Sequence, residues 1–399
     1  MKYSGWTLAL AGAGLVSLPA VMCAEEKPSP VLTGLASTTI SGYVDTSAQW
    51  NAGTGNANTP AYAFGGPGKA DGFNLNVVEL TLEKPIDLNE EWGAGYRVDL
   101  LFGPDAAALA TQSSGTAGDF GVKQAYVALH APVGNGLDFQ IGVWDTITGY
   151  EVTDSVKDPN FTRSYGYTIE PSTHTGIRAV YLFSETLSAI VGVADTFGPQ
   201  INQRAFPARA ESYKTYLGSI TLAAPSDMGF LAGSTLTGCV INGYNSNANA
   251  SAGADQTSWY VCGTLNTPLK GLRVGACYDY AGVSSQPISG SSYANAVAGY
   301  ASYQATEKLS LHARGEYASS DALTSSGKPL LGASKVVAVT GTVQYDLWKN
   351  VLSRIEFRWD HAADGSDAYG GTPVAGSTAP VPGTRKNSFI LLADIAYRF

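Results

Sequence analysis

The last fourteen residues, 386–399, alternate. Phe389, Leu391, Ala393, Ile395, Tyr397 and Phe399 share one parity. Lys386, Ser388, Asp394 and Arg398 share the other, with Ile390 and Leu392 among them. A period of two describes a strand with one apolar and one wet face. The pattern recurs upstream. In Leu272–Tyr280 the apolar parity is Leu272, Val274, Ala276, Tyr278 and Tyr280, and the other holds Arg273, Gly275, Cys277 and Asp279. In Leu309–Tyr317, Leu309, Leu311, Ala313 and Tyr317 oppose His312, Arg314 and Glu316. In Val351–Trp359, Val351, Ile355, Phe357 and Trp359 oppose Arg354, Glu356 and Arg358, and Asp360 continues the wet parity. A charge held against lipid at mid-depth costs about 2–4 kcal/mol for Arg or Lys. Confining charge to one parity therefore predicts a watery inner face and a greasy outer one. A sandwich core would not alternate Arg and Glu so regularly.

Segments of this kind fall near 36–51, 72–86, 92–104, 119–132, 137–152, 173–183, 187–197, 211–224, 230–244, 257–266, 272–284, 292–305, 309–320, 334–347, 351–361 and 386–399. Their links alternate. Short ones such as Asp87–Glu91, Ser184–Thr186 and Trp348–Asn350 separate long ones such as Ala52–Asp71, Thr153–Ser172 and Ala362–Arg385. The expectation is an all-β fold, a transmembrane antiparallel β-barrel of about 16 strands with short periplasmic turns and long external loops. Such a barrel is too wide for side chains to fill. Trp50, Trp92, Trp348 and Trp359 fall near strand ends, where an aromatic girdle is expected. A final strand stopping on Phe399 resembles the assembly signal of bacterial outer-membrane barrels. That implies outer-membrane lipid around the chain and the barrel-assembly machinery as a partner.

At the other end, Lys2 precedes the apolar run Trp6–Ala20, followed by Val21-Met22-Cys23-Ala24 and then Glu25-Glu26. Residues 1–24 read as a signal peptide, leaving 25–399 as one barrel domain. No later apolar run is long enough for a spanning helix. With a net charge of −9 and no basic patch, nucleic acid is not an expected partner. Cys239, Cys262 and Cys277 lack metal spacing, so neither a metal nor another cofactor is expected. A symmetric hairpin about Leu269–Lys270 sets Cys262 opposite Cys277 on the inner face, within reach of a disulfide.

The stretches Lys123-Gln124-Ala125-Tyr126-Val127, Gly149-Tyr150-Glu151 and NFTRSYGYTIEPSTHTG from Asn160 to Gly176 resemble the OmpL-like β-barrel porin family. The resemblance implies an outer-membrane porin, a water-filled channel through which small hydrophilic solutes and ions diffuse passively. By analogy with such porins, a homo-trimer is expected. Two alternatives stand beside it: a non-conducting structural or adhesin barrel, and an outer-membrane hydrolase. The hydrolase is disfavoured because none of the four histidines pairs with a serine and an acid, and no G-x-S-x-G occurs.

The third long external connection, Glu151–His174, mixes aromatics with charges instead of Ser, Gly and Asn. Such a segment is expected to pack on a wall and to form the constriction, with Glu151, Asp158, Arg163, Glu170 and His174 as its pore residues. Arg163 and Glu170 are expected to approach the pore. Across from them the lumen wall should present Arg97, Arg178, Arg273, Arg314, Glu316, Arg354, Glu356 and Arg358. These wall charges either set a transverse field and thus ion preference or neutralise one another.

Overall fold

The computed structural model describes residues 37–53, 55–61, 67–87, 91–111, 118–195, 197–204, 212–245, 254–286, 290–324, 327–373 and 379–399. The expected signal peptide, residues 1–24, lies outside them. Sixteen antiparallel strands close into one barrel, each paired with its sequence neighbour and β16 with β1. The first eight are β1 (Thr39–Asn51), β2 (Gly72–Lys84), β3 (Gly93–Phe102), β4 (Phe120–Ala131), β5 (Leu137–Asp145), β6 (Thr173–Leu182), β7 (Leu187–Ala194) and β8 (Thr215–Ala223). The rest are β9 (Thr235–Asn245), β10 (Ala254–Asn266), β11 (Leu272–Gln286), β12 (Gly290–Gln304), β13 (Leu309–Ser320), β14 (Lys335–Trp348), β15 (Val351–Ala362) and β16 (Asn387–Arg398). Among the described residues two short α-helices, α1 (Ala106–Leu109) and α2 (Tyr165–Ile169), lie in connections. No described helix is long and apolar enough to cross a membrane.

Closure removes every free sheet edge, which lipid would not tolerate. At the seam, Gly42 N–H donates to Phe399 O at 3.1 Å and Phe399 N–H to Gly42 O at 3.0 Å. The last residue thus completes the ladder between the two chain ends. The β14–β15 hairpin turns at Asn350 with φ 67°, a left-handed conformation that Asn adopts more readily than most residues.

Burial follows parity. On β15, Arg354 is 2% exposed and Ile355 61%; on β16, Leu392 is 0% and Leu391 50%. Trp92 and Trp348 stand exposed beside the short turns, and Trp50 at the opposite rim. Two spans depart furthest from expectation. The segment expected at 137–152 stops at Asp145, because the chain turns inward before Gly149, whose φ is +108°. A Cβ there would also stand 2.8 Å from Glu151 O and from Glu170 Oε2, so only glycine fits. The segment expected from 230 begins at Thr235, since Gly229–Leu231 forms a 3₁₀ turn.

Strands β10 and β11 pair in the expected register: Trp259 with Tyr280, Tyr260 with Asp279, Asn266 with Arg273. Cys262 and Cys277 face each other with Cα atoms 4.1 Å apart and are joined by a disulfide, while Cys239 is buried and free. Peptide mapping without reductant is expected to return one Cys262–Cys277 linked pair. Cys239 should be alkylated only after unfolding. A Cys239–Cys262 link would refute this pairing.

The apolar clusters lie inside the barrel as well as on its lipid face. Trp144, Ile147, Leu217, Ile241, Tyr260 and Tyr300 belong to one. Tyr43, Val77, Leu101, Val156, Phe161, Ile390 and Leu392 belong to a second. The third joins Tyr165 and Ile169 to Ala281, Ala294, Ala296, Ala318 and Ala338. All three contain residues of the β5–β6 connection, residues 146–172, which therefore lies within the barrel.

Candidate functional site

The β5–β6 connection crosses the barrel and is gripped by its main chain. Glu356, on β15, accepts from Phe161 N–H at 2.6 Å and Thr162 N–H at 2.9 Å. Glu316, on β13, accepts from Tyr165 N–H at 2.6 Å. The carbonyls go to arginines. Arg354 Nη1 donates to Ser155 O and Asp158 O at 2.9 and 3.0 Å. Arg314 Nη1 donates to Thr162 O at 2.6 Å, and Arg358 Nη1 to Arg163 O at 2.5 Å. Alternation makes this possible. Residues 354, 356, 358 and 360 all face inward on one strand, so cations and anions arrive in turn along a segment whose own donors and acceptors alternate. Charge-assisted bonds of this sort contribute about 1.5–3 kcal/mol each.

Side chains add to the grip. Tyr165 O–H donates to Asp360 at 2.9 Å, and Asn160 Nδ2 to Thr342 at 2.6 Å. The short helix α2 is capped by Ser164 Oγ, which accepts from Tyr167 N–H at 3.1 Å. It rests on β11, β12 and β13, where alanines leave room for it.

A second anchor holds the near leg of the loop. Lys123 Nζ donates to Asp154 at 2.6 Å and pairs with Asp145 at 3.4 Å, and Ser155 Oγ donates to Asp45. A β-bulge lies beside each contact. The β3–β4 register shifts between Asp99 and Leu100, so Lys123 and Gln124 both turn inward. The β1–β2 register shifts between Asp45 and Thr46, so Asn76 and Val77 are both buried. A bulge adds one residue and breaks the period of two. Burial pushes the Asp154 carboxyl upward, but Lys123 and Lys157 prevail and hold it well below the usual range.

The expected pore residues take different places. Glu151 is buried; it accepts from Arg314 Nη1 at 2.5 Å and from Ser164 N–H at 2.6 Å. Asp158 accepts from Val152 N–H at 2.9 Å, and burial pushes its carboxyl up to about 7 against the pull of Arg163. Glu170 sits at the end of α2 beside Asp279, and burial and that neighbour raise its carboxyl well above the usual range. His174 lies on β6 rather than in the loop, fully buried, with Nε2 3.2 Å from Thr146 Oγ1. Arg163 corrects the expectation most. It is 0% exposed and donates to the carbonyls of Val152, Phe161 and Thr153 within its own loop, at 2.8, 2.8 and 2.9 Å. It braces the fold of the loop and does not approach the pore.

Several wall arginines are paired with acids. Arg314 pairs with Glu151 and Glu316, Arg354 with Asp394, and Arg358 with Asp360. These arginines lie under the loop, 0–2% exposed, so they neutralise neighbours and hold backbone rather than face open water. Arg97 pairs with Asp99 at 3.0 Å and is partly exposed. Arg178 donates to Gln140 Oε1 at 2.5 Å and Asp145 O at 2.7 Å. Arg273 donates to Thr264 at 2.8 Å. Among the described residues no group of His, Cys, Asp and Glu could hold a metal.

A loop folded into a sixteen-stranded barrel, carrying the Gly149-Tyr150-Glu151 corner, is matched by sequence. Residues 37–399 match the family described as beta-barrel porin-2, OmpL-like. The chain belongs to the OmpL-like β-barrel porins. Members of this family are outer-membrane channels, and the closed barrel with its lipid-facing apolar surface is the form that location requires. No curated protein matches the sequence. Among solved structures, the anion-selective porin from Comamonas acidovorans superposes with a TM-score of 0.60 at 13% identity, covering 91% of this chain and 99% of that one. The outer membrane channel DcaP of Acinetobacter baumannii gives 0.57 at 12%, covering 91% and 97%. OmpT of Vibrio cholerae in its trimer form gives 0.55 at 15%, covering 91% and 99%. At such identities these three share the fold with this porin.

Proposed function

We propose that this porin is a passive diffusion channel for small hydrophilic solutes and ions, and that its β5–β6 loop is the constriction. The observation that carries the reading is the main-chain grip: Glu316, Glu356, Arg314, Arg354 and Arg358 fix the loop from Ser155 to Tyr165. A segment pinned across a lumen narrows the water path without closing the barrel wall. Diffusion needs no reaction, so no residue is assigned a catalytic role. Outer-membrane lipid meets the apolar face. The barrel-assembly machinery engages β16 through Phe399 once the leader, residues 1–24, has been removed. The trimer form of the Vibrio cholerae neighbour supports a homo-trimer.

A non-conducting structural barrel is the second reading, favoured by the three apolar clusters inside. Planar-bilayer recording with the refolded full barrel separates the two. Discrete ohmic steps, with faster liposome uptake of a pentose than of a tetrasaccharide, are expected. A barrel that inserts and yields neither steps nor uptake overturns the channel reading.

A further inference from the structure

Arg314, Arg354 and Arg358 each stand beside an acid. One pair of acids inside the barrel has no such partner. Glu170 closes α2 on the far leg of the β5–β6 loop, and Asp279 stands on β11, one of the strands beneath α2. Among the described residues neither forms an ion pair with Lys, Arg or His. The seat is close: a Cβ on Gly166 of α2 would strike Asp279 Oδ2. The two carboxyls hydrogen-bond to each other, and Asp279 Oδ1 is buried with no N–H to accept from. Two ionised carboxylates hold only acceptors, so a bond between them needs a proton on one.

No neighbouring group removes that need. Tyr260 on β10 and Cys239 on β9 face both carboxyls, and a phenol and a thiol bring no positive charge. From the loop, Glu151 and Asp158 add negative charge. On β12, Tyr300 lies beside Glu151. On β13, Arg314 is held by Glu151 and Glu316, and within the loop Arg163 faces Asp158. Burial and Asp279 raise the Glu170 carboxyl well above the usual range. Glu170 is only partly buried, which gives its proton a way out. A Glu freed from the seat titrates at about 4.3. The seated leg therefore binds more protons than the freed one. Seating is strongest in acid and weakens as pH rises from about 4 towards the raised value.

We propose that Glu170 and Asp279 share one proton that latches the far leg of the loop to β11, and that loss of this proton to solvent frees the leg. The test is hydrogen exchange of the refolded barrel from about pH 5 to 9, corrected for the chemical exchange rate. Protection at residues 167–170 is expected to fall with rising pH, by about tenfold per unit at most, the slope that one proton imposes. Glu170→Gln keeps the shape and donates to Asp279 without a proton to lose, so its protection should stay level. Asp279→Asn should level the profile too, and serves if the first variant does not fold. Asp158 titrates at about 7 in both proteins, so the latch is read as the difference between parent and variant. Equal slopes in parent and Glu170→Gln, or a parent whose protection does not change with pH, overturn it. So does loss of protection on adding EDTA at pH 5, which assigns the pair a divalent cation instead. In bilayers the parent should grow noisier as pH rises and Glu170→Gln should not. A parent that passes no current removes the channel reading, while the exchange result still decides the latch.

Discussion

Excision of Lys157–Tyr167 is expected to raise single-channel conductance several-fold. The deleted stretch contains Phe161, which shares a buried apolar cluster with Ile390 and Leu392, and the carbonyls of Asp158, Thr162 and Arg163, which hold three wall arginines. Without it, Arg314, Arg354 and Arg358 meet water while keeping Glu316, Asp394 and Asp360, which lie on the same strand or the next one. The lumen widens and the barrel wall is untouched, since every strand pair lies outside the deletion. Barrel integrity is checked by the shift between folded and boiled protein on gels. A folded deletion variant that conducts like the parent shows that the loop is not the filter.

Glu356→Ala tests the same seat without removing chain. Its two carboxylate oxygens accept from Phe161 N–H, Thr162 N–H and the Thr342 hydroxyl. Truncation orphans two buried amides, each costing about 1–3 kcal/mol, and leaves Arg354 and Arg358 on β15 without the acid between them. The loop should then detach part of the time. The expected record is a noisy open level with excursions to the larger conductance of the deletion variant. Hydrogen exchange should show lost protection at residues 160–165 and unchanged protection in β13 and β15. A quiet trace at the parent level would mean that the remaining contacts suffice and that Glu356 is not a principal anchor.

The strand count, the facing of Arg354, Glu356 and Arg358, and the Cys262–Cys277 register were all legible, because each follows from a period of two. The loop's mode of attachment was not. Main-chain recognition leaves no side-chain pattern in the segment recognised, so Arg163 looked like a pore cation when its guanidinium binds its own loop. Lys123 and Asn76 were missed as inward residues because bulges shift the phase of their strands. One signal was present and unused. Ile390 and Leu392 stand on the wet parity of the last strand, and in the fold they form the seat for Val156 and Phe161. An apolar residue on an inward position of a wide barrel marks something packed inside it.

The β15 ladder grips peptide groups that every non-proline residue carries. Loop side chains turned away from the wall are therefore under little demand from the attachment itself. Between Ser155 and Tyr165 only Lys157 and Pro159 are not buried, and substitution at these two positions can alter the size and charge of what faces the channel while the seat persists. Proline at Phe161, Thr162 or Tyr165 is the exception, because it removes a donor that Glu356 or Glu316 uses. For an engineer this is a fixed socket with an exchangeable insert. For a lineage facing new nutrients or toxins, it is a route to retuning permeability one residue at a time without rebuilding the barrel.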